Sequence, residues 1–349
     1  MNIAIIGAGA SGLFLTKVLN KNINYTIFNK GKIGRKILAS GNGRCNISNF
    51  NYDDSFYHHN PLANIIVKNN QQKLFDYFKK LNIYTKCDAE GRMYPISESS
   101  LSILNILTKN IKNIIDIEVT NINKINNKYY INNEYGPFDK IIISIGSNAQ
   151  VNDYNFNLIK SLNIKYNEFK PSLVGFITKE KIKEISGVRS KAKVTLLKDN
   201  NIIHTELGEV IFKDDGISGI CIMNLSSFYQ KTDKLNMKIK IDFIMDGIYN
   251  SYDSVLNPKL LNYINKYNIN PSNFILNIKD TYNMEFAQVA SGGIDINELN
   301  NNLTLKNNND IYLMGEVIDV DGLCGGYNLM FAFTSAIVVG SDINEISNK

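Results

Sequence analysis

Residues 1–12 read MNIAIIGAGASG: an apolar run, Ile3 to Ile6, enters Gly7, Gly9 and Gly12, and an apolar-periodic segment from Leu13 to Leu19 follows. Strand, tight turn and helix in this order open a βαβ unit. Gly7 serves the turn, Gly9 lets a pyrophosphate approach the backbone at the helix N-terminus, and Gly12 lets helix press on strand. Ala8, Ala10 and Ser11 belong to the same turn. The spacing therefore predicts an α/β chain with a Rossmann-like dinucleotide site. A second strand, Tyr25 to Phe28, should end at the residue that holds a ribose, and Asn29, followed by Lys30, stands there in place of an acid. An amide can accept one hydrogen bond and donate another, but it lacks the two-oxygen carboxylate geometry.

Next comes Gly34 to Asn49, GRKILASGNGRCNISN. Ser40, Gly41, Asn42 and Gly43 lie between Lys36 and Arg44, so a backbone rich in free N–H groups is flanked by cations, as an anion seat requires. The chain holds 38 Lys plus Arg, of which only Arg35, Arg44, Arg92 and Arg189 are arginine. Lysine suffices for bare charge, so the few arginines are candidates for planar, bidentate phosphate contacts, and two of the four lie here.

With 349 residues there is room for two domains, and 44% hydrophobic with 20% charged residues describes a soluble globular chain. No cationic start precedes an apolar h-region, and no uninterrupted apolar run reaches a membrane span, so a cytoplasmic protein with no membrane partner is expected. Cys45, Cys87, Cys221 and Cys324 form no C-x-x-C pair and histidine numbers three, so neither a disulfide framework nor a metal site is expected. A net charge of +5 permits a nucleic-acid partner without requiring one.

Further along, Pro61 to Lys68 and Gln71 to Leu81 read as helices, Glu90 to Pro95 as a turn carrying Arg92, and Ser97 to Ser100 as caps for a helix to about Ile111. Ile115 to Val119, Lys128 to Ile131 and Lys140 to Ile145 read as strands, the last ending at Gly146 on the carboxyl edge of a buried sheet. From Leu173 to Phe243 the pattern is β-type, and short helical pieces follow between Tyr249 and Asp280. The expected organisation is a first part at 1–168, an inserted β-rich and small helical substrate or cap region at 169–287, and a closing part at 288–349. That closing part has a strand, Asp310 to Leu313, then Gly315, Glu316, Asp319, Asp321, a glycine loop containing Cys324, Gly325, Gly326, Tyr327 and Asn328, and a helix from about Leu329 to Val339. Glu316 or Asp319 would lie beside ribityl hydroxyls, with a positive helix end aimed at the N1 and O2 edge of a flavin. The bland alternative, a calcium loop, lacks the regular oxygen ligands and terminal Glu of an EF-hand.

GAGASG, GRKILASGNGRCNISN, GRMYPIS, GEVIFKDDGISG and GEVIDVDGLCGGYNLMFAF together resemble the BaiN/YhiN-type NAD(P)/FAD-dependent oxidoreductases. The resemblance implies a Rossmann-like FAD-binding domain interrupted by a β-rich domain and a small helical subdomain, and reduction of conjugated carbon–carbon double bonds. It also implies FAD contacts at Gly7 to Gly12, Asn29, Lys30, Arg35, Lys36, Ser40 to Arg44, Asn46, Val119, Gly146, Gly315, Glu316, Asp319 and Gly325 to Asn328, with NADPH or NADH as transient reductant. This chain departs from the family at Asn29, at Ser144-Ile145-Gly146-Ser147, where an A-T-G-G-like turn is typical, and at Lys213-Asp214, which is often Thr-His.

The chemistry so implied needs a proton donor, and Cys45 is the candidate because a free thiol keeps its proton at neutral pH; Cys324 and Tyr327 are alternatives. The leading expectation is reduction of uridine to dihydrouridine in 23S ribosomal RNA. A small-molecule, steroid-like enone is the alternative substrate, and a ribosome-associated protein with a structural flavin is the reading from another class.

Overall fold

The computed structural model describes residues 1–111, 113–151, 154, 156–245 and 247–349. The chain forms two compact units: one contains Met1–Ser147, Gly292–Lys349 and a connecting piece ending at Phe169, and the other is built mainly from Lys170–Ser291.

The first unit is organised on a six-stranded sheet in the order Thr304–Leu305, Asn308–Leu313, Lys140–Ile143, Asn2–Ile6, Asn24–Asn29, Ile114–Asp116. Its last five strands run parallel, with Ile5 level with Ile142 and Ile27, while Thr304–Leu305 is an antiparallel edge. Ile3, Ala4, Ile5, Ile141, Ile142 and Ile143 have no accessible surface, as continuous apolar runs require when helices cover both faces. The first strand continues through the helix Ala10–Val18 to the strand on one side, and its other neighbour is Lys140–Ile143. The strand order therefore reverses beside Asn2–Ile6, and the crevice at that reversal is where such sheets hold ligands.

The helix Tyr327–Ser347 is long and apolar enough to cross a membrane by length and composition, yet it is mostly buried, packing on Ala10–Val18 and Pro61–Lys80. A Cβ on Gly340 would sit 2.5 Å from the Val18 side chain, so glycine sets the close approach of two helices. Phe14 and Phe333 meet in that contact with ring centroids 4.8 Å apart.

Two local readings need correction. Pro61–Lys80 is one helix where two were expected: Asn60 caps it by accepting from the N–H groups of Leu62 and Ala63, and the inner polar residue Asn70 is satisfied by donating to the Ile66 carbonyl. Arg92–Pro95 is a strand between Ser48–Asn49 and Thr85–Cys87, because the turn is completed earlier, at Asp88 to Gly91, with Gly91 at φ +75°.

The second unit is a closed barrel in the order Phe176–Thr178, Gly216–Ser218, Asn201–Phe212, Arg189–Lys198, Met237–Asp242, Phe274–Thr281. Alternate residues fill it, among them Ala192, Val194, Leu196, Ile239, Ile241 and Leu276, and the helix Ile220–Gln230 adds Ile222, Leu225 and Tyr229. The helical part expected here consists of one regular α-helix among the described residues of 249–280, Pro258–Lys266, whose Leu260 and Ile264 join the same core.

Candidate functional site

Every residue expected to hold the cofactor lies in the first unit, and Gly7, Asn29, Lys30, Gly146, Gly315 and Glu316 end or closely follow its parallel strands. A Cβ on Gly7 would come 2.4 Å from the Ser144 carbonyl oxygen, and one on Gly12 would come 2.0 Å from that of Gly7. These glycines are demanded by the protein's own packing. Ser144 completes the turn, its Oγ lying 3.0 and 2.9 Å from the carbonyls of Ile6 and Gly7. That contact gives the departure from an A-T-G-G-like turn a structural use. It was missed as a site residue because its role depends on a strand end 138 positions earlier.

Gly9 is different. Its φ is −85°, which any residue adopts, and a Cβ there would meet nothing nearer than the Ser144 oxygen at 3.9 Å. It has neither a positive φ nor a close neighbour that forbids a side chain, unlike Gly7 and Gly12 in the same turn. Space kept open in front of a helix N-terminus fits a pyrophosphate.

Asn29 secures this turn from the next strand: its Oδ1 accepts from the Ala8 N–H at 2.9 Å and its Nδ2 donates to the Gly31 carbonyl at 2.7 Å. The amide thus shapes the loop, leaving one lone pair of Oδ1 for a ribose hydroxyl. Asp116, at the end of the neighbouring strand, accepts from the Gly31 N–H, and Val119 is buried just beyond it. Lys30 pairs with Glu118 at 3.2 Å.

In the basic loop the backbone is left-handed at Gly41, Asn42, Gly43 and again at Cys45, with φ between 54° and 84°. Ser40 Oγ donates back to the Ile37 carbonyl. Gly43 faces open space, and Arg35 is exposed. Arg44 lies over the Tyr94 ring at 4.9 Å, a cation–π contact. Arg92 and Arg189 are not phosphate forks: Arg92 binds Asp88 and Glu90, and Arg189 binds Glu209. Rarity marked these arginines, but a guanidinium fork matches a local carboxylate as well as a phosphate.

Lys36 is only partly exposed, and its ammonium group is engaged by the protein itself. Its Nζ donates to Ser147 Oγ at 2.8 Å and to Glu316 Oε2 at 2.5 Å, tying the basic loop to the ends of two parallel strands. Glu316 therefore has a cation where a ribityl hydroxyl was expected. Asp319 likewise supports backbone: its Oδ1 takes the Gly292 N–H at 3.0 Å and its Oδ2 the Asn167 amide at 2.7 Å. Gly146, at φ +70°, is fixed through its carbonyl by the Tyr154 hydroxyl. At Gly315, φ is +72° and a Cβ would strike Ser11 Oγ at 2.6 Å, which brings the last parallel strand against the first helix.

The two ends of the chain meet at the second glycine loop. Asn49 Nδ2 donates to the Gly325 carbonyl at 2.9 Å, the Leu323 N–H to that of Phe56, Tyr57 Oη to that of Tyr327 at 2.7 Å, and Asn60 Nδ2 to that of Asp319. Asn328 closes the loop by bonding both backbone groups of Gly322. A Cβ on Gly326 would fall 2.2 Å from the Ser48 carbonyl and 2.6 Å from Asn46 Oδ1. Asn46 Oδ1 and Ser48 Oγ are buried without a hydrogen-bond partner among the described residues. Orphaned polar atoms beside the start of a 21-residue helix fit the polar edge of a flavin ring, so the residues present suit FAD.

Cys45 has no accessible surface, and burial pushes its thiol up to about 11, against a smaller lowering from Ser40. A proton donor must reach what it protonates, so the role expected of Cys45 meets an obstacle that Cys324, half-exposed between Leu323 and Gly325, does not. Tyr327 is nearly buried, and desolvation raises its hydroxyl well above the ordinary value.

Among characterised proteins, the 3-dehydro-bile acid delta(4,6)-reductase of Clostridium scindens is 27% identical, over 97% of this chain and 98% of its own. The ribosomal RNA dihydrouridine synthases of Haemophilus influenzae and Escherichia coli are 22% and 23% identical, each over 97% of this chain and 98% and 97% of their own. The open conformation of a flavocytochrome c3 fumarate reductase shares the fold, with a TM-score of 0.50 at 12% identity, over all of this chain and 78% of that one. The HI0933-like protein Rossmann domain model matches residues 1–342, so the chain belongs to the HI0933-like family and is an FAD-dependent oxidoreductase.

Proposed function

We propose that the protein reduces a carbon–carbon double bond conjugated to a carbonyl, and that its substrate is uridine in 23S ribosomal RNA. The observation that carries the redox reading is the meeting of Asn46, Ser48 and Gly326, where buried unpaired oxygens face the start of the closing helix. The relatives support the bond type: a delta(4,6)-reductase and a dihydrouridine synthase both saturate an alkene held next to a carbonyl.

Reduced FAD supplies a hydride when bound, and NADPH or NADH is the proposed source of its electrons. The chain's own contribution is then positional. The Gly7 to Gly12 turn would receive the pyrophosphate, Asn29 the ribose, and the Tyr327–Ser347 helix N-terminus the negative edge of the ring. We assign the proton to the Cys324 thiol, because it is half-exposed in the second glycine loop. Replacing Cys324 by Ala should slow turnover at least about a hundredfold, the lower end of the usual worth of a positioned acid, whereas equal loss in Cys45→Ala would return the role to Cys45.

A second substrate class, a small enone, is favoured by the higher identity to the bile acid reductase. Nucleoside mass spectrometry of 23S ribosomal RNA from a deletion strain, with and without the restored gene, separates the two. Dihydrouridine that disappears and returns supports the RNA substrate. An unchanged profile, with NADPH oxidation stimulated by enones, overturns it. Action on ribosomal RNA would place the protein in the cytoplasm.

A further inference from the structure

The barrel carries a set of lysines without carboxylate partners, in contrast to several lysines of the first unit. There, Lys36 binds Glu316, Lys128 binds Asp139, and Lys124 and Lys140 share Asp310. On the barrel, Arg189–Lys198 and Met237–Asp242 run antiparallel with Thr195 opposite Lys240 and Leu197 opposite Lys238. Since Ala192, Val194, Leu196, Ile239 and Ile241 point into the core, period-two alternation puts Lys191, Lys193, Lys238 and Lys240 on the outer face. The first two are exposed and the other two half-exposed.

Cross-strand partners could neutralise them, and for the most part do not. On its second side Lys240 faces Ile275, and Lys238 faces Asn277. Lys191 is level with Glu209, but Glu209 is taken by Arg189, and Lys193 is level with Asp242, whose Oδ1 accepts the N–H groups of Ile244 and Met245. Among the described residues none of the four forms a salt bridge, and the barrel's own pairs, such as Lys198 with Asp233, fall outside the set.

Residues two apart on a strand stand about 7 Å apart, close to the separation of successive phosphates in an extended RNA strand. Leu207, level with Lys193, and Ile202, level with Leu197, are each 70% exposed on the adjoining strand and offer apolar surface to a base or ribose. A positively charged track that follows the backbone is one of the two parts of a single-stranded nucleic-acid site.

We propose that this outer barrel face docks a single-stranded segment of RNA, its phosphates taken by Lys191, Lys193, Lys238 and Lys240. The proposal rests on the reading of ribosomal RNA as substrate and adds where that RNA is held.

The test uses the full-length, FAD-loaded protein and labelled transcripts of 23S ribosomal RNA, with affinity measured from about 50 to 200 mM salt. Replacing the four lysines together by Gln should weaken binding roughly tenfold or more and reduce the slope of log affinity against log salt by about 3, since each phosphate contact on a single strand contributes about 0.7. Flavin absorbance and the melting curve, unchanged in the variant, show that it is folded. A control with Lys21, Lys68, Lys73 and Lys306 changed to Gln removes the same charge from exposed positions of the first unit and should keep the slope. If wild type binds and the barrel variant binds alike, or if the control loses as much, the docking surface is refuted while the substrate reading stands. If wild type binds no ribosomal RNA transcript, the substrate reading falls, and the surface with it.

Discussion

Lys36 and Lys240 carry the same charge in opposite surroundings. Lys36 is held by Ser147 and Glu316 and fastens three segments at the ends of parallel strands, whereas Lys240 stands on a sheet face between Thr195 and Ile275. The glycines follow the same division. In the barrel, Gly216 and Gly219 would place a Cβ 2.0 and 2.1 Å from the carbonyls of Phe176 and Glu209, so packing within the barrel accounts for them. In the first unit Gly7 and Gly12 are accounted for in the same way, and Gly9 is not. The difference teaches where to look for a ligand: at a residue whose constraint the folded chain does not itself impose.

The largest expected effect tests that distinction. Gly12→Ala and Gly216→Ala should each destabilise their own unit by at least about 3 kcal/mol, because the contacts they violate are backbone and cannot step aside. Gly9→Ala should leave the melting curve of the cofactor-free protein within about 0.5 kcal/mol of wild type and still lose FAD, read as flavin retained on gel filtration. Loss of apoprotein stability in Gly9→Ala would remove the argument that its space belongs to a ligand.

The same asymmetry governs what could be read from the sequence. The opening strand, turn and helix, the Asp310 strand and the last glycine loop were legible because a parallel sheet writes each strand as an apolar run and each ligand turn as glycines at fixed offsets. What was not legible is how the polar residues divide their hydrogen bonds. Nothing in GEVIDVDG says that Glu316 faces Lys36 or that Asp319 supports Gly292, since those partners lie 280 and 27 positions away. Nor does the residue type of Cys45 show that it is covered. In the barrel the β pattern was visible, but its closure was not, because alternation reveals an inner face and leaves strand order open. The single helix Pro258–Lys266 read as a separate element because its Leu260 and Ile264 could as well have faced a neighbouring helix as a barrel core.

An intermediate effect sharpens the contrast between the lysines. Lys36→Met leaves Glu316, 17% exposed, without that ammonium group and should cost about 1–3 kcal/mol in urea unfolding. Lys240→Met removes no ion pair and should stay within about 0.5 kcal/mol. The double variant Lys36→Met with Glu316→Gln should recover part of the loss if the cost is that of a stranded carboxylate. Equal costs for Lys36→Met and Lys240→Met would show that the pairing in the first unit does not contribute to its stability.

The smallest effect concerns acid. Burial alone would raise the Asp310 carboxyl, but hydrogen bonds from Lys140 and Lys124 outweigh it and hold the group below its ordinary 3.8. A carboxyl depressed by folding adds stability that is complete above the unfolded value and is lost as pH falls through the folded one, so this contribution should disappear below about pH 4. Both partners are partly in water, which limits it to under about 1 kcal/mol. Asp310→Asn should therefore lower stability slightly at pH 6 and flatten the decline measured between about pH 4 and 2, since the variant has no proton to take up at that position. If the acid limbs of variant and wild type run parallel, the ion pairs of Asp310 with Lys140 and Lys124 are without thermodynamic weight. The contrast would then be confined to the half-buried strap between Lys36 and Glu316.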